Sequence, residues 1–151
     1  GHNWGRNGTP DWLNQIAKEC AAETIASITA LEEASDALAN GYGISICSGY
    51  GFSSKRNQWG ISEQKGSWNH CMSVISVNDD NSTEMYRING RTWLTQNSWG
   101  EFNSGPKAYD QPDGSFWISD RNMKRILDSG GSWVISNVKG FKRRNLDYLL
   151  I

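Results

Sequence analysis

Apolar positions along the chain fall into two rhythms, and the places where one gives way to the other predict the elements. Leu31, Ala34 and Leu38 recur on one helical face, opened by the Thr29-Ala30-Leu31-Glu32 capping pattern and stopped by Asn40-Gly41, so residues 30–39 are expected to form a helix. Thr9-Pro10-Asp11 gives a cap, a proline at the first helical position and an early acid, which predicts a shorter helix over 10–20. Ile44-Ser45-Ile46-Cys47 then alternates as a half-buried strand. Residues 48–67, rich in Gly, Ser, Lys and Gln, read as a long loop and a wall for a site.

Residues 71–77 read as the next strand, 79–83 as a turn, and 85–88 with 91–96 as a returning strand interrupted at Asn89-Gly90. A second loop follows over 101–114, then a strand at 115–118 and a helix from Ser119 or Asp120 to Asp128 carrying Met123, Ile126 and Leu127. Ser129-Gly130-Gly131 ends it, 133–138 forms a last strand, and 145–151 is an apolar tail with Leu146, Tyr148 and Leu150 on one side if extended. Helices first and an antiparallel meander after them make an α+β layout. No repeat, heptad or linker divides the chain, and its 151 residues suit one domain.

Composition changes this picture little. Fifteen Lys and Arg against sixteen Asp and Glu leave a net charge of -1, so neither nucleic acid nor an anionic membrane is the expected partner. The run Lys139-Gly140-Phe141-Lys142-Arg143-Arg144 reads as a solvated edge. No apolar run approaches the ~20 residues of a membrane span and no leader pattern opens the chain, so a soluble protein is expected. Cys20, Cys47 and Cys71 lack a C-x-x-C spacing and are expected to be ordinary buried thiols, with no metal and no cofactor. The sequons at Asn7 and Asn81 carry little weight, and His2 reads as a terminal residue rather than a ligand. Eight tryptophans are the one oddity, set beside Gly, Ser and Asn as often as in apolar runs.

The chemistry lies at the open end of one hairpin. If the strands over 71–77 and 91–96 pair antiparallel with the turn near 81–83, a simple register sets His70 opposite Asn97. An amide beside an imidazole holds one ring nitrogen and aims the other at a reacting group. A neutral orienter suits a thiol nucleophile, whereas Asp is the commoner partner where serine attacks. Trp99 is placed to cover the His–Asn bond, and Trp68, two residues before His70, to line the cleft.

These residues carry a resemblance. Asn69-His70-Cys71 opening an apolar strand, and Asn97-Ser98-Trp99-Gly100 after its partner, resemble the histidine and asparagine motifs in the C-terminal half of papain-like cysteine peptidases. The helix and strand over 34–47 and the glycine-led strand Asp113-Gly114-Ser115-Phe116-Trp117-Ile118 are similar to that family's neighbouring elements, so the likeness spans about residues 31–138. Ser104-Gly105-Pro106-Lys107 and Gln111-Pro112-Asp113-Gly114 are most similar to divergent phage and bacterial forms. The resemblance implies the mostly antiparallel half of a papain-like fold with flanking helices. It implies His70 and Asn97 as catalytic residues, supported by Trp99, Ser98, Gly100 and Trp68, acting on peptide bonds.

One departure governs the functional expectation. The family's nucleophilic cysteine opens a long helix after a glutamine, and no Gln-Gly...Cys-Trp segment occurs here. Cys20 falls near a helix C-terminus, Cys47 at a strand end, and Cys71 alternates away from His70, so none is expected to be the nucleophile. The chain is therefore expected to supply half of a thiol acyl-transfer site and to need a cysteine-bearing N-terminal segment or a second chain as partner. The alternatives are a non-catalytic papain-like structural or binding module and a thiol acyltransferase or amidase.

Overall fold

The alternation seen at Ile44 continues far beyond it. In the computed structural model, which describes residues 10–139, the stretch expected as a long loop is the body of a hairpin: β2 runs Gly43–Arg56 and β3 runs Ser62–Asn78. Their pairing is regular from Ile44↔Val74 to Ser48↔His70 and then slips at successive bulges. Bulges explain why the polar sequence hid the strands, since each slip resets the two-residue alternation. Asn57 closes the hairpin tip, its side-chain Oδ1 accepting from the backbone N–H groups of Trp59 and Ile61.

The other elements are α1 (Asp11–Glu19), β1 (Ala22–Ser27), α2 (Leu31–Ala39), α3 (Glu84–Asn89), β4 (Thr92–Gln96), β5 (Ser115–Ser119), α4 (Asp120–Asp128) and β6 (Ser132–Val138). The fold is mixed α+β, with the strands in the order β1-β6-β2-β3-β4-β5 and antiparallel pairing from β2 through β5. Contacts divide the chain into a larger unit, residues 26–134, and a smaller one formed by the residues before and after it. Residues 1–9 and 140–151 lie outside the described residues, and with them His2, the Asn7 sequon, the apolar tail and most of the basic run.

Three local expectations change. The cap of α2 falls one residue later than the motif suggested: the Glu33 carboxylate, not Glu32, accepts from the backbone N–H groups of Thr29 and Ala30. Those two bonds hold the Glu33 carboxyl below the usual carboxylate range. Residues 85–88 are helical, because the Thr83 hydroxyl accepts from the Tyr86 N–H and starts a turn that buries Met85 completely. And β1 was hidden, its six residues all being exposed, so no apolar alternation marks it.

Both faces of the sheet are used in the larger unit. One face sets Ile44, Ile46, Met72, Val74, Trp93, Phe116 and Ile118 against Ala34 and Ala37 of α2 and Met123, Ile126 and Leu127 of α4. The other packs Leu94 and Trp117 with Ile61, Met85 and Trp59. Strands β4 and β5 are therefore buried on both sides, and each fully buried large side chain there stabilises the fold by roughly 1.5–3 kcal/mol. The pair β3–β4 is thus held rigidly along most of its length, and the candidate site sits where that support ends.

Candidate active site

Alternation along β3 puts Trp68, His70, Met72 and Val74 on one face, so His70 belongs to the row that feeds the main core. Asn97 follows β4 directly, its backbone N–H donating to the Gly114 carbonyl at 3.3 Å. The observed register sets Ser73 against Gln96, two residues on from the simple pairing, with an irregularity between Val74 and Ser76. An even offset leaves the faces unchanged, so the two side chains still meet, diagonally rather than directly across.

His70 Nε2 lies 2.9 Å from Asn97 Oδ1. The same oxygen accepts the Ser98 backbone N–H at 2.7 Å, which fixes which end of the amide faces the ring. An oxygen cannot donate, so Nε2 carries the proton and Nδ1 of the neutral imidazole is left with its lone pair free. That is the form a general base needs. Asn97 is itself only 4% exposed, so the bond that orients the ring is shielded from competing water.

Trp99 supplies the cover. Its ring stacks on His70 with centroids 4.3 Å apart and 27° between planes, and meets Trp68 edge-on at 4.7 Å. Phe102 completes the group, 5.2 Å from Trp99 and 5.8 Å from Trp68, and Phe52 links Trp68 at 6.1 Å to Phe116 in the core at 5.3 Å. The rings form a continuous stack from the buried sheet to the surface, where Trp99 remains 43% exposed.

The loop 101–114 holds the asparagine. Gln96 Nε2 donates to the carbonyls of Asn97 at 3.0 Å and Asp113 at 3.1 Å. A Cβ on Gly114 would overlap the Gly100 carbonyl oxygen, and its φ of 73° is one that other residues rarely adopt, so this close approach requires glycine. Arg56 reaches from the end of β2 to donate to Ser115 O at 2.9 Å and Gly105 O at 2.8 Å, tying the loop at Gly105 to the start of β5. Burial pulls the Arg56 guanidinium below its ordinary value, an effect opposed by the charge of Asp113. Asp113 is held below the usual carboxylate range by its hydrogen bond to Lys107 and by the charge of that residue.

The structure brings together His70, Asn97, Trp99 and Trp68, with Ser98 acting through its backbone and Gly100 through the close approach of Gly114. Gln96, Phe102 and Arg56 belong to the same assembly and were not singled out. Phe102 carried a signal, being an aromatic three residues after Trp99; Arg56 carried none, since its partners are backbone carbonyls about 50 residues away or more.

The cysteines differ from expectation. Cys47 and Cys71 are joined in a disulfide, and Cys20 is free but exposed rather than buried. Directly opposed positions on β2 and β3 make the bond accessible, a pairing that the polar sequence of 48–67 does not announce. Neither bonded cysteine can be a nucleophile in this state. Cys20 caps the C-terminal end of α1.

Among the described residues no three His, Cys, Asp or Glu side chains gather as a metal site, and no helix is long and apolar enough to cross a membrane. Comparison with known proteins gives no family: no family model matches the chain, and no curated protein matches it.

Proposed function

We propose that this chain supplies the base and its orienter for thiol acyl transfer, as in papain-like cysteine peptidases, and that the nucleophilic cysteine comes from a segment outside it. The observation that carries this reading is the Asn97 amide oxygen shared between His70 Nε2 and the Ser98 N–H, which leaves Nδ1 as the basic atom. In this reading Nδ1 takes the thiol proton as the thiolate attacks a peptide carbonyl, then returns it to the leaving amine. The neutral amide orients the imidazolium without adding a charge, and Trp99 keeps water from the bond. A thioester-forming amidase would use the same pair with water at the second step, and an acyltransferase would use it with an amine in place of water.

A second reading has its own observation. Neither cysteine beside His70 is a free thiol, which favours a non-catalytic module that keeps the scaffold for binding. The complete reading frame separates the two: a glutamine followed by a cysteine opening a helix supports catalysis, whereas Ser, Ala or Gly in that position supports the binding module. With such a segment co-produced, hydrolysis of fluorogenic peptide amides is the decisive assay. His70→Ala is expected to lower kcat/KM by roughly 10³-fold or more, and Asn97→Ala by less because the base itself remains. Turnover undiminished by His70→Ala would remove the peptidase reading.

A further inference from the structure

The disulfide between Cys47 and Cys71 has no part in the proposed chemistry, yet it lies next to the base. The two cysteines are direct cross-strand partners, and the adjoining rung pairs Ser48 with His70. Past that rung the register slips between Ser48 and Tyr50. The disulfide therefore closes the last regular stretch of the β2–β3 ladder, one residue from the imidazole. Cys71 is exposed and Cys47 half-buried, and both line an open depression of about 430 Å³ together with Ser48, Asn69 and His70. A small dithiol has access to the bond in the folded chain.

We propose that Cys47–Cys71 is a redox-sensitive clamp that positions His70. Oxidised, it holds the rung beside the bulge, and the ring keeps its bond to Asn97. Reduced, the rung is held by backbone hydrogen bonds alone at the point where they begin to slip, and the ring drifts from the amide. Displacements of about 1 Å are enough to cost catalysis on the order of 100-fold where geometry decides the rate. The clamp deepens the acyl-transfer reading as a regulation of the same site, and its effect on turnover rests on that reading.

The exchange balances without further partners. A thiolate of an external dithiol attacks Sγ of Cys71, the S–S bond breaks, and Cys47 leaves as a thiolate that takes a proton. The second thiol of the reductant then displaces Cys71 from the mixed disulfide. The dithiol departs as a cyclic disulfide, and two electrons and two protons now reside on Cys47 and Cys71. Cys71 leads because it is the more exposed residue of the two.

The test follows the His70 ring in the full chain by nitrogen-15 imidazole spectra as dithiothreitol is added, with free thiols counted by mass after alkylation. One reactive thiol, Cys20, is expected before reduction and three after it. Exchange of the Nε2-bound proton should accelerate at least about tenfold on reduction and recover on reoxidation, while methyl signals of Met72 and Val74 stay folded. The double variant Cys47→Ser/Cys71→Ser should exchange at the reduced rate in both conditions, and Cys20→Ser should behave as the parent. Three free thiols with unchanged ring exchange would overturn the clamp, as would a bond that resists dithiothreitol in the folded chain or a reduction that unfolds the core. None of these outcomes depends on turnover, so a failed peptidase assay leaves the clamp standing and a failed clamp leaves the peptidase reading standing.

Discussion

Two tryptophans at opposite ends of the β3–β4 pair have contrasting surroundings. Trp93, paired with Val77, is fully buried; its indole nitrogen donates to Asp120 at 2.8 Å, and the Arg91 guanidinium lies over its ring at 5.2 Å. Arg91 in turn grips the Asp120 carboxylate through two bonds of 2.8 and 3.3 Å and reaches Glu32 at 3.6 Å, so β4, α4 and α2 meet at one ion-pair network. Trp99, beyond the other end of β4, is 43% exposed and covers a half-buried histidine whose second nitrogen is left unpaired. Close by, the buried Asn97 Nδ2 and Trp68 Nε1 lack protein partners. Buried polar atoms without protein partners also occur beside Trp93, at Asn78 Nδ2 and Thr92 Oγ1, so what separates the two ends is the full burial and ion-pair network of Trp93 against the exposure of Trp99 and the unpaired nitrogen of His70.

The contrast breaks most clearly at Trp93. Trp93→Ala removes a ring from the main core and the donor to Asp120, and should cost about 3–5 kcal/mol of stability, read from the denaturant midpoint at unchanged slope. A loss under about 1 kcal/mol would mean that this end is no better determined than the other.

Trp99→Ala should shift the same midpoint by no more than about 1 kcal/mol, because the ring is partly in water already. It should nevertheless speed exchange of the His70 Nε2 proton, since the ring that shields it is gone. Stability lost without faster exchange would assign Trp99 to the fold instead of the site.

The smallest effect concerns acid. Lys107 holds the Asp113 carboxyl below its ordinary value, so its contribution is present above the unfolded value of about 4 and fades as pH falls through the lower folded value. Asp113 is exposed, and the expected consequence is a local change in the resonances of the loop 101–114, absent in Asp113→Asn. A loop whose resonances titrate identically in that variant would place its acid sensitivity elsewhere.

Much of this was legible along the chain because it depends on neighbours in sequence. The helix at Leu31–Ala39 and the one at Asp120–Asp128 announced themselves by apolar period and caps, and β5 by its apolar run. The His70–Asn97 pair was legible despite a register two residues off, since an even slip leaves side chains on the same face. What failed did so for local reasons: bulges broke the alternation of β2 and β3, and a single capping threonine turned residues 85–88 into a helix.

The sequence by itself determined the residue types of the candidate site and their order: an imidazole on one strand, then an amide and an indole just past the end of its neighbour. Only the tertiary structure decided that Cys47 meets Cys71, that Arg56 holds the loop following Asn97 through Gly105 and Ser115, and that Nδ1 rather than Nε2 is the free nitrogen. Those facts depend on which backbone atoms arrive beside which side chains after strands have paired. Periodicity records the face a residue occupies, and carries no information about the partner waiting there.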